Sequence, residues 1–122
     1  MSALIFNLKQ TPQHAINCSK LTPDQLAGKT ASEIASTPVT YGNTTVSAGE
    51  LFEISGTDAS HITFKNATPA LDYIGANMAT GTITVEGDAG AYLGFGMKNG
   101  EIHCHGNTQA FAACNMVNGL VR

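Results

Sequence analysis

Met78-Ala79-Thr80-Gly81 returns as Met97-Lys98-Asn99-Gly100 and again as Met116-Val117-Asn118-Gly119. The step is 97 − 78 = 19 residues and then 116 − 97 = 19, with no insertion between copies. Other positions keep it: Ile83, Ile102 and Val121; Gly87 and Gly106; Ala91 and Ala110; Tyr92 and Phe111. The residue before each methionine is Asn77, Gly96 or Asn115, types that readily take a positive φ. A fixed period with recurring glycines and alternating apolar residues restricts the chain to stacked coils.

Within each copy, Thr82-Ile83-Thr84-Val85-Glu86 and Glu101-Ile102-His103-Cys104-His105 alternate polar and apolar, the pattern of a strand with one buried face. Gly81, Gly87, Gly100 and Gly106 bracket these strands as corners. One copy cannot bury its own apolar row. Stacking copies roughly 4.8 Å apart would pile Ile83, Ile102 and Val121 into one interior ladder, with the three methionines as flexible filler. A hairpin meander also alternates, but it needs no constant repeat length. The expected fold is mainly β: a right-handed single-stranded parallel β-helix of about three coils, preceded by a small α+β head. The head is placed in residues 1–57 and the repeats in residues 58–122.

The chain has 122 residues, enough for one domain, and 43% of them are hydrophobic, which excludes a disordered chain. Lys and Arg number 6 against 9 acidic residues, so a net charge of −3 argues against nucleic acid or an anionic membrane as partner. No stretch approaches the ~20 apolar residues of a membrane span. The start, Met1 to Lys9, lacks a basic region and a long apolar core, so no signal peptide is read. Cys18, Cys104 and Cys114 have no close pairing and fit reduced thiols in a cytoplasm.

In the head, Leu4 to Leu8 reads as a strand with Leu4, Phe6 and Leu8 on one side. Thr22-Pro23 starts a short helix ended by Gly28, and Thr30-Ala31-Ser32-Glu33 is a capping box for a second one, stopping before Pro38. Tyr41-Gly42-Asn43 is a turn, and Thr44 to Ile54 reads as one or two strands around Gly49, with Leu51 and Phe52 in the core. The first coil is irregular. Ile62 to Met78 is 16 residues where Ile83 to Met97 is 14, so two extra residues are expected around Pro69.

The reactive-looking triplet is His103-Cys104-His105. Alternation places Cys104 inside and both histidines outside, where the 19-residue register stacks His105 beside Glu86 and His103 between Thr84 and Arg122. His103, His105 and Glu86 are therefore the candidate metal ligands. A metal site wants three or more convergent ligands and Arg122 opposes a cation, so solvated outer-face residues are the simpler reading. Cys104 reads as a buried inert thiol, Cys114 takes the position of Phe95, and Cys18 has no evident partner. Asp88 sits at a corner and more simply bonds turn N–H groups than serves as an acid or base. Gly94-Phe95-Gly96 is no phosphate loop, because no helix start follows it. No serine or cysteine has a base and orienting acid readable in the sequence.

The run Ile83 to Gly90, followed by Gly94 to Gly100, resembles the glycine-rich repeat of the C subunit of formylmethanofuran dehydrogenase and of its counterpart in the bacterial formyltransferase/hydrolase complex. A similar repeat ends the glutamate synthase large subunit. Leu21 to Gly28, Ser32 to Ala35 and Val46 to Ile54 are similar to the head of the C-subunit group rather than to glutamate synthase. The resemblance implies a non-catalytic assembly subunit in one-carbon metabolism, in methanogenesis or in methylotrophy. Its partners would be the other subunits of a formyl-transfer complex, and no catalytic residue or metal ligand carries over. Family members run on through more repeats, whereas this chain stops at Arg122, partway along the third strand. The last coil is therefore expected to be covered by a second copy or by a partner subunit.

The competing expectation is a stand-alone homo-oligomeric binder of a methanofuran-type cofactor, whose glutamyl tail is anionic. Lys9, Lys20, Lys29, Lys65, Lys98 and Arg122 are scattered in the sequence, which weighs against it. No bound cofactor is expected on the chain itself.

Overall fold

The computed structural model describes residues 3–9, 14–56, 58–68, 70–90, 92–106 and 120–121. In chain order the elements are β1 (Ala3–Leu8), β2 (Ile16–Asn17), α1 (Pro23–Leu26), α2 (Ala31–Ala35), β3 (Pro38–Tyr41), β4 (Thr44–Ser47) and α3 (Ala48–Leu51). There follow β5 (Phe52–Ser55), β6 (Asp58–Ala67), β7 (Leu71–Asp72), β8 (Thr82–Gly87), β9 (Glu101–Cys104) and β10 (Leu120–Val121). The protein is mainly β, with three short helices among the described residues.

The 19-residue step is a physical register. Ile83 pairs in parallel with Ile102, and Ile102 with Val121, so β8, β9 and β10 stack with equivalent residues side by side. One strand earlier the offset is 83 − 62 = 21, because Ile62 pairs with Ile83. The two extra residues are absorbed in two places. The offset falls to 87 − 67 = 20 at the irregularity between Lys65 and Ala67, where Asn66 takes φ 57°. It reaches 92 − 73 = 19 at the stacked rings of Tyr73 and Tyr92. The sequence pointed to the second place, near Pro69, and a bulge at Asn66 supplies the first.

β1 also joins this array, in parallel with β6: Leu4 lies beside Ile62 and Phe6 beside Phe64. The six-stranded sheet is thus ordered β10-β9-β8-β6-β1-β5. Its outermost pairing is antiparallel, Phe6 opposite Ile54, so the sheet is mixed where a purely parallel one was expected. A second sheet, β4-β3-β2-β7, is mixed as well, with β2 parallel to β7 and the others antiparallel. Three elements of this region go beyond the sequence reading. β3 and β4 form a hairpin through Gly42 (φ 62°), β2 is a two-residue strand, and the stretch read as one or two strands around Gly49 is two strands with α3 between them. A local signal for α3 was present: Glu50 follows Ser47 by three residues, and its Oε2 accepts the Ser47 N–H at 2.8 Å.

Packing follows the alternation. Leu4, Ile62, Ile83 and Ile102 form one interior row and Phe6, Phe64 and Val85 the next, all buried. Phe6 stacks on Phe64 at 5.4 Å between centroids, and Phe52 meets Phe6 edge-on at 5.6 Å. Met78 and Met97 are wholly buried, as the ladder reading requires, while Met116 lies outside the described residues. Phe52 is buried, and Leu51 packs half-buried against the core. Asn77 and Gly96 both take positive φ, 58° and 65°, at the corners before those methionines. The first two helices start as read. Thr22 Oγ1 accepts from Gln25 N–H at 3.4 Å, and Thr30 and Glu33 close the capping box at 2.9 and 3.2 Å. The head is tied to the repeat by Asp24, whose Oδ2 accepts the N–H of Ala79 at 2.7 Å.

Candidate functional site

The outward face of the six-stranded sheet carries the polar half of each alternating strand. Register sets Thr63, Thr84 and His103 in one column, His61, Thr82 and Glu101 in a second, and Lys65 beside Glu86 in a third. A groove of about 300 Å³ lies on this face, lined by Asp58, His61, Thr63, Thr82 and Thr84 among others. Asp58 is held below its usual carboxylate range by the hydroxyl and N–H of Ser60, which both donate to it.

The candidate metal ligands sit on the same face. Glu86 and His105 are exposed, and the N–H of His105 donates to the Val85 carbonyl at 3.0 Å, carrying the ladder one residue past β9. His103 is half-buried, and it meets Glu101 of its own strand, Nε2 to Oε1 4.0 Å, rather than Glu86. Among the described residues no three His, Cys, Asp or Glu side chains gather where a metal could be held. Arg122, expected beside His103, lies outside the described residues, as does Cys114.

Cys104 points inward as read but is only half-buried, with Sγ 3.7 Å from the carbonyls of Gly87 and Gly106. Cys18 is fully buried, and burial, then the charge of Asp72, pushes its thiol far above the ordinary range. A thiol held protonated is a poor nucleophile.

Three features were not read from the sequence. Tyr73 and Tyr92 stack at 4.8 Å with their planes 5° apart, and Phe95 meets both edge-on at 5.9 and 5.5 Å. Both tyrosines hold φ near 60°. Tyr73 was findable, being one 19-residue step before Tyr92. Second, Lys20 and Lys29, nine residues apart on either side of α1, line one groove of about 290 Å³, with Gln25, Glu33, Ser36 and Thr37. Third, a groove of about 500 Å³ runs between α2 and β5. The last two depend on how the helices fold back, which no local pattern encodes.

No family model matches the chain. It is 32% identical over 92 residues to the C subunit of the tungsten-containing formylmethanofuran dehydrogenase 2 of Methanococcus maripaludis, covering 74% of this chain and 34% of that protein. To its counterpart in Methanothermobacter marburgensis it is 34% identical over 93 residues, covering 72% and 34%. To the C subunit of the molybdenum-containing formylmethanofuran dehydrogenase 1 of Methanosarcina barkeri it is 33% identical over 95 residues, covering 74% and 32%. The matched region is about a third of each relative's length. Among solved structures, a chain of the formyltransferase/hydrolase complex of Methylorubrum extorquens, crystallised with methylofuran, matches with a TM-score of 0.90 at 25% identity. That match covers 96% of this chain and 44% of the other. The resemblance carried by the repeat and the head is therefore borne out.

Proposed function

Starting from the chain's place in the C-subunit family of formylmethanofuran dehydrogenase and the formyltransferase/hydrolase complex, we propose that it is a non-catalytic assembly subunit of a formyl-transfer complex in one-carbon metabolism. The observation that carries this reading is the likeness over 96% of the chain to a component of such a complex. On this reading β6, β8, β9 and β10 begin a right-handed parallel β-helix, with residues 58–122 as the repeat and residues 1–57 as its head. The complex works in the cytoplasm, and a methanofuran-type cofactor is met through the other subunits. No helix of the described residues is long and apolar enough to cross a membrane.

The second reading, a homo-oligomer that binds such a cofactor directly, gains one observation: the groove that joins Lys20 and Lys29. Glu33 lines the same groove and offsets part of the positive charge an anionic tail would need. The test is affinity purification of the tagged chain from its native cytoplasm, with mass spectrometry and a solution mass for what is recovered. Recovery of formyltransferase and hydrolase subunits is expected. Recovery of the chain alone as a stable dimer would remove the assembly reading and leave the second one standing.

A further inference from the structure

Among the described residues β5 is the last strand of its sheet and is paired on one side only, to β1. Which backbone groups face outward follows from the register. Lys9 N–H donates to the Leu51 carbonyl at 3.1 Å, and Leu51 lies opposite Lys9 in the same antiparallel alignment that sets Asn7 opposite Glu53 and Ile5 opposite Ser55. In an antiparallel ladder alternate residues bond inward. Leu51, Glu53 and Ser55 therefore bond to β1, while Phe52 and Ile54 turn their backbone groups to the open side. The Phe52 N–H is already taken by the Ala48 carbonyl of α3. Phe52 is buried, so the N–H and carbonyl of half-buried Ile54 are the groups left facing the groove between α2 and β5.

The groove has the dimensions and lining of a strand site. Its volume is about 500 Å³, its walls are Ala31, Ser32 and Ala35 of α2, and its floor is Gly49, Phe52 and Ile54. Its charges are placed at two points. Lys9 sits at the rim, with its ammonium on the Gly49 carbonyl at 2.8 Å, and Glu53 is exposed on the strand itself. On the β1 side Glu53 faces neutral Asn7 directly, so a cation placed level with it on the open side would complement its charge. No proline, bulge or inward charge interrupts Phe52–Ser55, and its protection is limited to its four-residue length, the Glu53 charge and the neighbouring α2.

We propose that the β5 edge is a docking site for an extended segment of a partner subunit, added to the sheet as a seventh strand. The segment pairs its backbone with Ile54, sets a small apolar side chain against Ala31 and Ala35, and carries Lys or Arg level with Glu53. This rests on the assembly reading for the partner's identity, but the edge is tested on the purified chain alone.

The probe is the synthetic peptide acetyl-Thr-Val-Lys-Val-Thr-amide, titrated into the isotope-labelled 122-residue chain and followed by amide NMR. Expected are saturable shifts on β5 and α2 and slowed exchange of the Ile54 amide. Glu53→Lys should weaken binding about threefold to fivefold, and a peptide with Glu replacing its Lys should restore it. Ile54→Pro removes the outward N–H and should weaken binding about tenfold. If that variant fails to fold, the Glu53 charge swap decides by itself. Shifts confined to other surfaces, no saturable binding, or indifference to the charge swap would overturn the site. Protection of the Ile54 amide that rises with protein concentration and no peptide would put a second copy in the groove and overturn the partner assignment. None of these outcomes depends on whether complex subunits co-purify.

Discussion

Gly81 and Gly28 have nearly the same backbone, φ 82° and 75°, and quite different surroundings. A Cβ on Gly81 would lie 2.7 Å from the Pro23 ring and 2.8 Å from the Ser60 carbonyl, whereas one on Gly28 would meet nothing within 4 Å. Both substitutions incur the left-handed strain of about 1 kcal/mol. Only Gly81→Ala also forces apart the head and the strand corner. Gly28→Ala should therefore cost about 1 kcal/mol, and Gly81→Ala about 3 kcal/mol or more. Urea denaturation of the two variants measures the difference, and equal losses would show that the corner relaxes freely. The paired tyrosines show the opposite solution: Tyr73 and Tyr92 accept positive φ and gain a stacked pair.

At the scale of elements, the head is a set of short helices held mostly by their ends. α2 has five residues, too few to be stable by propensity, so its capping box supplies much of what holds it. Glu33 Oε1 accepts the Thr30 N–H, and this bond, with the Thr30 side chain, holds the Glu33 carboxyl below its usual value. A depressed carboxyl contributes stability that is present above the unfolded value, about 4.3, and is lost as pH falls through the folded one. Acid titration should therefore loosen α2 below about pH 4, and Glu33→Gln should flatten that dependence. Amide exchange at Ser32 to Ala35 as a function of pH checks it. An unchanged pH profile in Glu33→Gln would mean that the box contributes nothing in solution. The ends of these helices were legible because capping is local chemistry. The order in which β1 and β5 join the sheet was not, since no pattern in Leu4 to Leu8 distinguishes a parallel neighbour from an antiparallel one.

Across the whole molecule, head and repeat share one core. Phe6 of β1, Phe52 of β5 and Phe64 of β6 form a three-ring cluster, with Phe52 and Phe64 at 6.0 Å, where the antiparallel edge meets the parallel stack. Removing a ring there should be felt in both parts. Phe6→Ala is expected to cost about 3–5 kcal/mol, a large share of the roughly 5–15 kcal/mol of a domain this size. Unfolding followed at the Tyr73–Tyr92 stack and at α2 should shift together. Separate midpoints would show two independent units.

The sequence alone determined the repeat, its 19-residue step, the inward row of Ile83 and Ile102, the buried methionines and the caps of α1 and α2. Each follows from spacing or from bonds within a few residues, and stacking equivalent copies leaves no choice of register. Only the tertiary structure decided that β1 extends the same sheet, that β5 closes it antiparallel with an open edge, and that Lys20 and Lys29 share a groove. It also decided that His103 meets Glu101. The sheet pairings of β1 and β5 depend on how residues far apart in the chain pack around a common apolar core, where many pairings satisfy the same alternation and burial selects one.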